Sequence, residues 1–370
     1  MFYLKYKDSK VFAFDPIDCY FKMLNKQYLP MCIKNLPDGY EMVRVFCRQR
    51  VLHNSRVYAK DILLACCLEE LDSVSICLKS RALCVTDNYW IDASKNSKTW
   101  EEINIRNHAF DHALGVVALT GKADGNIGFS SEKIRTGELT VKGNHAKLLM
   151  WQKKGIYLYK NLSLRKIAAE IVSNVIAAAL TLDSAYYSYQ KFQDLHCSKC
   201  RIDNAIEHEL LLCEDLLLFY GCNMNINSKV YEYIMEVDAR NFILMQIFDY
   251  LTLNTNRNGE NYGLLVDNGV ITGLYPIFDH DACFKGKNDK EFYMVTGMSF
   301  AETLEEIRKH KVFLSLVEPL EDANTFFESA RFKSFFLQYL TVNDYMGLAA
   351  RSKTILGMAK NIFPDRVELI

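Results

Sequence analysis

The stretch from Phe248 to Phe284, FDYLTLNTNRNGENYGLLVDNGVITGLYPIFDHDACF, constrains the fold more than any other part of the chain. Just before it and into it, Ile243, Leu244, Ile247, Phe248 and Leu251 recur at the spacing of one helical face. This run gives way to a polar loop, Asn254-Thr255-Asn256-Arg257-Asn258-Gly259-Glu260-Asn261. A short strand is expected over Tyr262–Val266 and a return strand over Val270–Ile277. Between them, Asp267-Asn268-Gly269 signals a hairpin, because Asn-Gly tolerates the positive φ angles of a tight primed turn. The hairpin brings the polar loop and Asp279 together. Oxygen-bearing side chains at its two ends suit a hard divalent cation carrying phosphates, with Asn261 and Asp279 as the pair.

The rest of the chain is long enough to build around such a site. Its 370 residues hold about two to three structural units, and half of them are hydrophobic. The net charge of −1 gives no whole-protein reason to expect direct nucleic-acid binding or an anionic membrane. The opening MFYLKYKDSKVFAF lacks the apolar core of a signal peptide, and no apolar run is long enough to span a bilayer. With no export signal, the 12 cysteines read as reduced thiols in a cytoplasmic protein. Cys66 and Cys67 sit in an apolar helical run and are expected in the core. Cys197-Ser198-Lys199-Cys200 has metal-like spacing, but no second such pair follows, so ordinary loop cysteines are the expectation.

Strand-like runs at Phe2-Tyr3-Leu4 and Val11–Phe14 flank a turn, and Asp61–Leu71 reads as an amphipathic helix. The basic cluster Arg44, Arg48, Arg50 and Arg56 before it is expected on a solvated face. Further on, Leu139–Leu148 and Ile156–Lys160, joined by the polar turn Gln152–Gly155, suit a small antiparallel sheet. Gly143 lets the backbone approach phosphates closely, with Asn144, His145 and Lys147 as donors. Strand alternation puts Lys160 on the face of Leu158, where a buried amine requires an anionic partner. Arg165–Leu182 reads as a buried helix whose single acid is Glu170, facing either that lysine or solvent beside Arg165 and Lys166. A return strand is expected over Leu182–Tyr189, and a strand or a helix over Leu210–Tyr220. Helices are expected over Lys229–Tyr250 and in four segments from Phe300 to Asn361, with Arg257 anchoring its loop on a carboxylate. Asp281 is expected to face solvent.

Two segments resemble the catalytic centre of HipA-like kinases: the loop Asn254, Asn256, Arg257, Asn261, Gly263, and Pro276-Ile277-Phe278-Asp279 after the hairpin. Leu83-x-x-Thr86-Asp87-Asn88-Tyr89-Trp90 and Trp100-x-x-x-Asn104 resemble the N-terminal region of such proteins from Gram-positive bacteria. The resemblance implies an α+β, two-lobed protein-kinase-like fold with a small antiparallel-sheet N-lobe and a mainly helical C-lobe. It divides the chain into an accessory region (1–120), an N-lobe (121–200) and a C-lobe with the catalytic loop (201–370). It further implies an ATP-dependent protein serine/threonine kinase using Mg2+, with a protein substrate and an antitoxin-like or regulatory partner. Lys160 would hold the α- and β-phosphates, Glu170 would orient Lys160, and Asn261 and Asp279 would bind the metal.

Position 256 departs from that pattern. The family's catalytic aspartate is here Asn256, which cannot accept a proton from a substrate hydroxyl as a carboxylate does. His280-Asp281-Ala282-Cys283 also departs from the family's Gly-x-Ser text. Three readings stay open: a kinase impaired by a native or introduced asparagine, a pseudokinase whose output is binding, and a nucleotidyl transferase on the same lobes. Ser130, Ser131 and Thr140 are candidate self-modification positions beside the Gly143 loop.

Overall fold

The computed structural model describes residues 1–68, 72–108, 112–122, 136–152, 155–202, 208–222, 225–285 and 292–361. Ser130 and Ser131 lie outside these. The chain divides into two compact units. The first comprises Met1–Asn161, Gln190–Gly221 and Leu265–Ile271; the second comprises Leu162–Tyr189, Cys222–Leu264 and Thr272–Ile370.

In the first unit, β1 (Phe2–Tyr6), β2 (Ser9–Asp15), β3 (Tyr20–Met23) and β4 (Tyr89–Ala93) form an antiparallel sheet in the order β3-β2-β1-β4. Leu4, Val11, Phe12 and Phe14 pack with Met42, Val43, Phe46, Ile62 and Ile76 from the helices Tyr40–Arg50, Ala59–Ala65 and Ser73–Ser80. The helix expected over 61–71 thus begins earlier and ends at Ala65. Cys66 is buried as expected, but Cys67 is exposed, because the chain turns there through a φ of 55°.

The arginine cluster does not form one solvated face. Arg44 and Arg48 are exposed, whereas Arg50 and Arg56 are buried, each against a carboxylate. Arg50 pairs through both terminal nitrogens with Asp87, and its Nε donates to Ala82 O at 2.5 Å. Arg56 donates to Glu138 Oε2 (2.8 Å), Glu138 O (2.7 Å) and Lys147 O (2.8 Å). Burial pushes the Glu138 carboxyl up and the Arg56 charge opposes this. These two arginines are structural, tying the helical segment to the strands that follow it.

A second sheet has the order β5-β6-β8-β7, from β5 (Lys147–Gln152), β6 (Gly155–Asn161), β7 (Tyr187–Phe192) and β8 (Leu195–Arg201). The predicted antiparallel pair is present as β5 and β6, although Leu139 and Thr140 lie in a turn and not in a strand. Each face has its own core. Leu149 and Ile156 pack with Leu83, Val85, Trp90 and Ile105, while Leu148 and Tyr159 pack with Leu119 and Cys197. The strand expected over 182–189 runs instead from Tyr187 to Phe192. Cys197 and Cys200 are in strand β8 and not in a loop; three residues apart, they point to opposite faces. Both alternatives for 210–220 are realised in succession, as β9 (Glu209–Leu212) and the helix Cys213–Phe219.

The second unit is mainly helical. The helix Leu164–Ala179 starts at Ser163, whose hydroxyl accepts from Lys166 N. The helix Ser228–Thr252 breaks at Asp238, with φ −159° and ψ 72°. Asp238 caps the second half by accepting from Asn241 N (3.2 Å), and its other oxygen accepts from Leu274 N (3.0 Å). One side chain thereby fixes both the bend and the return strand of the hairpin. That hairpin is β10 (Gly263–Asp267) and β11 (Val270–Leu274), turning at Asn268 (φ 49°) and Gly269 (φ 80°) as the Asn-Gly signal predicted. Its tip, Leu265–Ile271, groups with the first unit. The four C-terminal segments fold as Phe300–Ile307, Val317–Glu328, Ala330–Phe336 and Val342–Asn361. No helix among the described residues is long and apolar enough to cross a membrane.

The burial of the cysteines predicts their reactivity. Cys283 is buried, which pushes its thiol up to about 12, against weaker lowering by Ser173 and Thr252. Native protein exposed briefly to iodoacetamide near neutral pH is expected to be alkylated first at Cys19 and Cys67, the two exposed cysteines, with Cys283 unmodified. Peptide mass spectrometry checks this; early labelling of Cys283 would contradict its packing.

Candidate active site

The polar loop is built around one buried ion pair in the second unit. The helix Ser228–Thr252 stops where Leu253 takes a left-handed conformation, φ 49°. Asn254 then folds back, its N–H donating to Asp249 O (2.8 Å) and its amide to Asp249 Oδ1 (2.9 Å). Arg257 and Asp249 are both fully buried. Arg257 Nε donates to Asp249 Oδ2 at 3.1 Å and NH2 donates to Oδ1 at 2.9 Å. The remaining protons reach further: NH1 donates to Asn261 O (2.8 Å) and to Phe278 O (2.6 Å), and NH2 approaches His280 Nδ1 at 3.4 Å. All five donors of the guanidinium are engaged. Asp249 also accepts from Tyr293 Oη at 2.8 Å. Burial alone would lower the affinity of Arg257 for its proton, but the Asp249 charge outweighs this and holds it raised. The expectation that Arg257 anchors on a carboxylate is therefore met.

One guanidinium thus bonds both ends of the hairpin at their backbones, at Asn261 and at the residue before Asp279. The Asn261 amide NH2 donates to Asn256 O (2.7 Å), so its oxygen is the atom left for a cation. Asn256 itself is exposed; its N–H donates to Asn254 Oδ1 (3.1 Å), and its side chain extends from a fixed backbone. Asp279 adopts φ 61°, a left-handed conformation that costs an L-residue about 1–2 kcal/mol. Its N–H donates to Tyr187 Oη at 2.9 Å. Ser184 bridges to Ile277, and Ala185 N donates to Ile277 O at 2.8 Å, so the segment before β7 backs the Asp279 turn.

Asp281 does not face solvent as expected. It is 4% exposed and pairs with Lys166 Nζ at 3.1 Å, because the turn after Asp279 folds inward against the helix Leu164–Ala179. Glu170, on the same helix, is 0% exposed, which excludes the solvent-facing alternative.

The other candidates belong to the first unit. Lys160 is 3% exposed and stands opposite Lys147 in the β5–β6 register, so two amines share one face. Gly143 has φ +91°, and a Cβ there would lie 2.5 Å from Lys147 Nζ. Glycine lets the loop close over its own lysine, whose Nζ donates to Lys142 O at 2.5 Å. Asn144 is exposed, with Oδ1 accepting from Ser55 Oγ at 2.6 Å, and Asn144 O accepts from Val57 N at 2.9 Å. His145 is half-buried in the same loop. Thr140, by contrast, is 4% exposed and its hydroxyl donates to Leu83 O at 2.8 Å, which removes it as a candidate for self-modification.

The sequence reading missed Asp249, Tyr293, Tyr187, Ser184 and His280. Asp249 carried a signal: it is the single charged residue in the apolar run Phe242–Leu251. Among the described residues, no three His, Cys, Asp or Glu side chains gather as a metal cage. Two oxygen donors of the type offered by Asn261 and Asp279 fit Mg2+, which takes few protein ligands and completes its shell with phosphate and water.

No protein-family model matches the chain, and none of the curated proteins does. Among solved structures, a chain of the Shewanella oneidensis MR-1 toxin–antitoxin complex of HipA, HipB and operator DNA resembles it over 100% of both chains, with 11% identity and a TM-score of 0.58. The Helicobacter pylori proinflammatory kinase CtkA matches 58% of this chain and 93% of its own, with 13% identity and a TM-score of 0.40. At such identities the likeness concerns the fold. The chain has a HipA-like, kinase-like fold with small antiparallel sheets and many helices.

Proposed function

We propose that the protein is an ATP-dependent protein serine/threonine kinase of the HipA-like type whose phosphoryl transfer is impaired by Asn256. The observation that carries this reading is the Arg257 bond lattice. Arg257 bonds the backbones of Asn261 and Phe278, and the Asn261 amide bonds Asn256 O; this supports a reading in which residue 256, Asn261 and Asp279 take the roles that residues in this order have in kinase chemistry. In that chemistry Mg2+ bridges the terminal phosphates and neutralises developing charge. Asn261 and Asp279 would hold the ion. Gly143, Asn144, His145 and Lys147 would cradle phosphate, Lys160 would hold the α- and β-phosphates, and Glu170 would orient Lys160. Residue 256 would accept the hydroxyl proton of the acceptor, and asparagine cannot do so.

By role, we assign residues 1–120 to an accessory region, 121–200 to the nucleotide-binding lobe and 201–370 to the catalytic-loop lobe. A protein substrate and an antitoxin-like or regulatory partner complete the reading; the Shewanella neighbour was solved with HipB and operator DNA. One observation favours a second reading. Asn256 is a side chain without a base's chemistry at an exposed position, which suits a pseudokinase acting by nucleotide or partner binding.

Calorimetric titration with ATP and Mg2+ tests the site. The native chain is expected to bind. Lys160→Gln, losing a charge-assisted contact of about 1.5–3 kcal/mol, is expected to bind about 10- to 100-fold more weakly while keeping its circular dichroism spectrum. Absence of any binding heat at millimolar nucleotide would overturn the reading.

A further inference from the structure

His280 follows Asp279 directly and is fully buried. Both ring nitrogens are engaged: Nδ1 stands 3.4 Å from Arg257 NH2, and Nε2 stands 2.9 Å from Ser184 Oγ. The ring also meets Tyr187 edge-on at 5.8 Å and Phe248 at 5.1 Å between centroids. A guanidinium only donates, so Nδ1 must accept and the ring proton belongs on Nε2. Nε2–H then donates to Ser184 Oγ, whose own proton is directed to Ala185 O at 3.3 Å. The donors run in one direction, from Arg257 through His280 and Ser184 to the backbone.

We propose that His280 is a positioning residue for the metal end of the site: a ring that accepts from Arg257 at Nδ1, meets Ser184 at Nε2, and ties the Asp279 turn to the Arg257-anchored loop. This rests on the reading of Asp279 as a metal ligand. The geometry gives the reason. The bond from the Asp279 N–H to Tyr187 supports its left-handed turn, as does the anchoring of its two neighbours, Phe278 O and the His280 ring, on the same guanidinium. Removing the ring frees one side of that turn, leaves an Arg257 proton without its acceptor and takes from the Ser184 oxygen its Nε2–H donor. The backbone turn that presents the Asp279 carboxylate is then less constrained. Groups that orient a ligand from behind in this way typically govern 10- to 100-fold in metal affinity.

The test is Mn2+ binding followed by electron paramagnetic resonance in the presence of ADP, with nucleotide affinity measured separately without metal. His280→Ala is expected to weaken Mn2+ binding by about 10-fold or more and to leave metal-free nucleotide affinity unchanged. His280→Asn, whose amide oxygen can replace Nδ1 as an acceptor, is expected to recover most of the loss. Long-range 1H–15N spectra of native protein labelled at histidine are expected to show His280 protonated on Nε2. A ring found protonated on Nδ1 would overturn the role even if the alanine variant fails to fold. A His280→Ala protein that binds Mn2+ as well as the native protein does, or a native ring protonated on Nδ1, overturns this role and leaves the kinase reading standing. Native protein that binds no Mn2+ with nucleotide removes both.

Discussion

Substituting Asn256→Asp is expected to raise phosphoryl transfer by about 10²- to 10⁴-fold, the usual contribution of a positioned general base. The change adds no bulk and disturbs no packing, since residue 256 is exposed and its backbone is fixed from both sides by Asn254 Oδ1 and the Asn261 amide. Affinity for ATP with Mg2+ should stay the same, because the residues proposed to hold nucleotide and metal are elsewhere. Labelling of the protein itself and ATP turnover with radiolabelled nucleotide provide the readout. An Asn256→Asp protein that binds nucleotide but turns over no faster would mean that position 256 is not where the base acts. The binding-module reading would then be preferred.

Substituting Asp249→Ala is expected to destabilise the second unit by about 3–5 kcal/mol. The cause is not the loss of a favourable pair as such. It is the stranding of a buried guanidinium, with Tyr293 Oη and the Asn254 amide also left without their acceptor. For a unit of this size the transition midpoint should fall by on the order of 10 °C in scanning calorimetry. A shift under about 1 kcal/mol would show that water or a neighbouring carbonyl satisfies Arg257 instead. Asp249→Asn, which keeps the shape and some of the acceptors, should fall between the two.

What the sequence disclosed follows the range of the forces involved. The hairpin, its Asn-Gly turn and the helix feeding the loop are local, and periodicity and turn chemistry located them within a few residues. The Arg257 anchor was legible because a guanidinium beside an apolar run needs a carboxylate. Which carboxylate was less so, although Asp249 stood alone among apolar neighbours. The burial of Arg50, Arg56 and Asp281 was not legible. Each depends on a partner distant in sequence, namely Asp87, Glu138 and Lys166, and charge alone argued for solvent. The Ser184–His280 contact joins residues 96 apart, and nothing in either local text announces it. Thr140 looked like a flexible hydroxyl among glycines, yet a tertiary bond to Leu83 O fixes it in the core.

The five-way engagement of Arg257 bears on how related chains are to be interpreted. A residue that is indispensable for folding persists whether or not the protein still performs chemistry. Descendants that lose turnover can therefore keep an intact arginine, an ordered loop and a well-formed hairpin for as long as the domain must stay folded. In such a lineage the arginine is a marker of architecture, and the identity of its exposed neighbour is the better indicator of whether the chemistry survives.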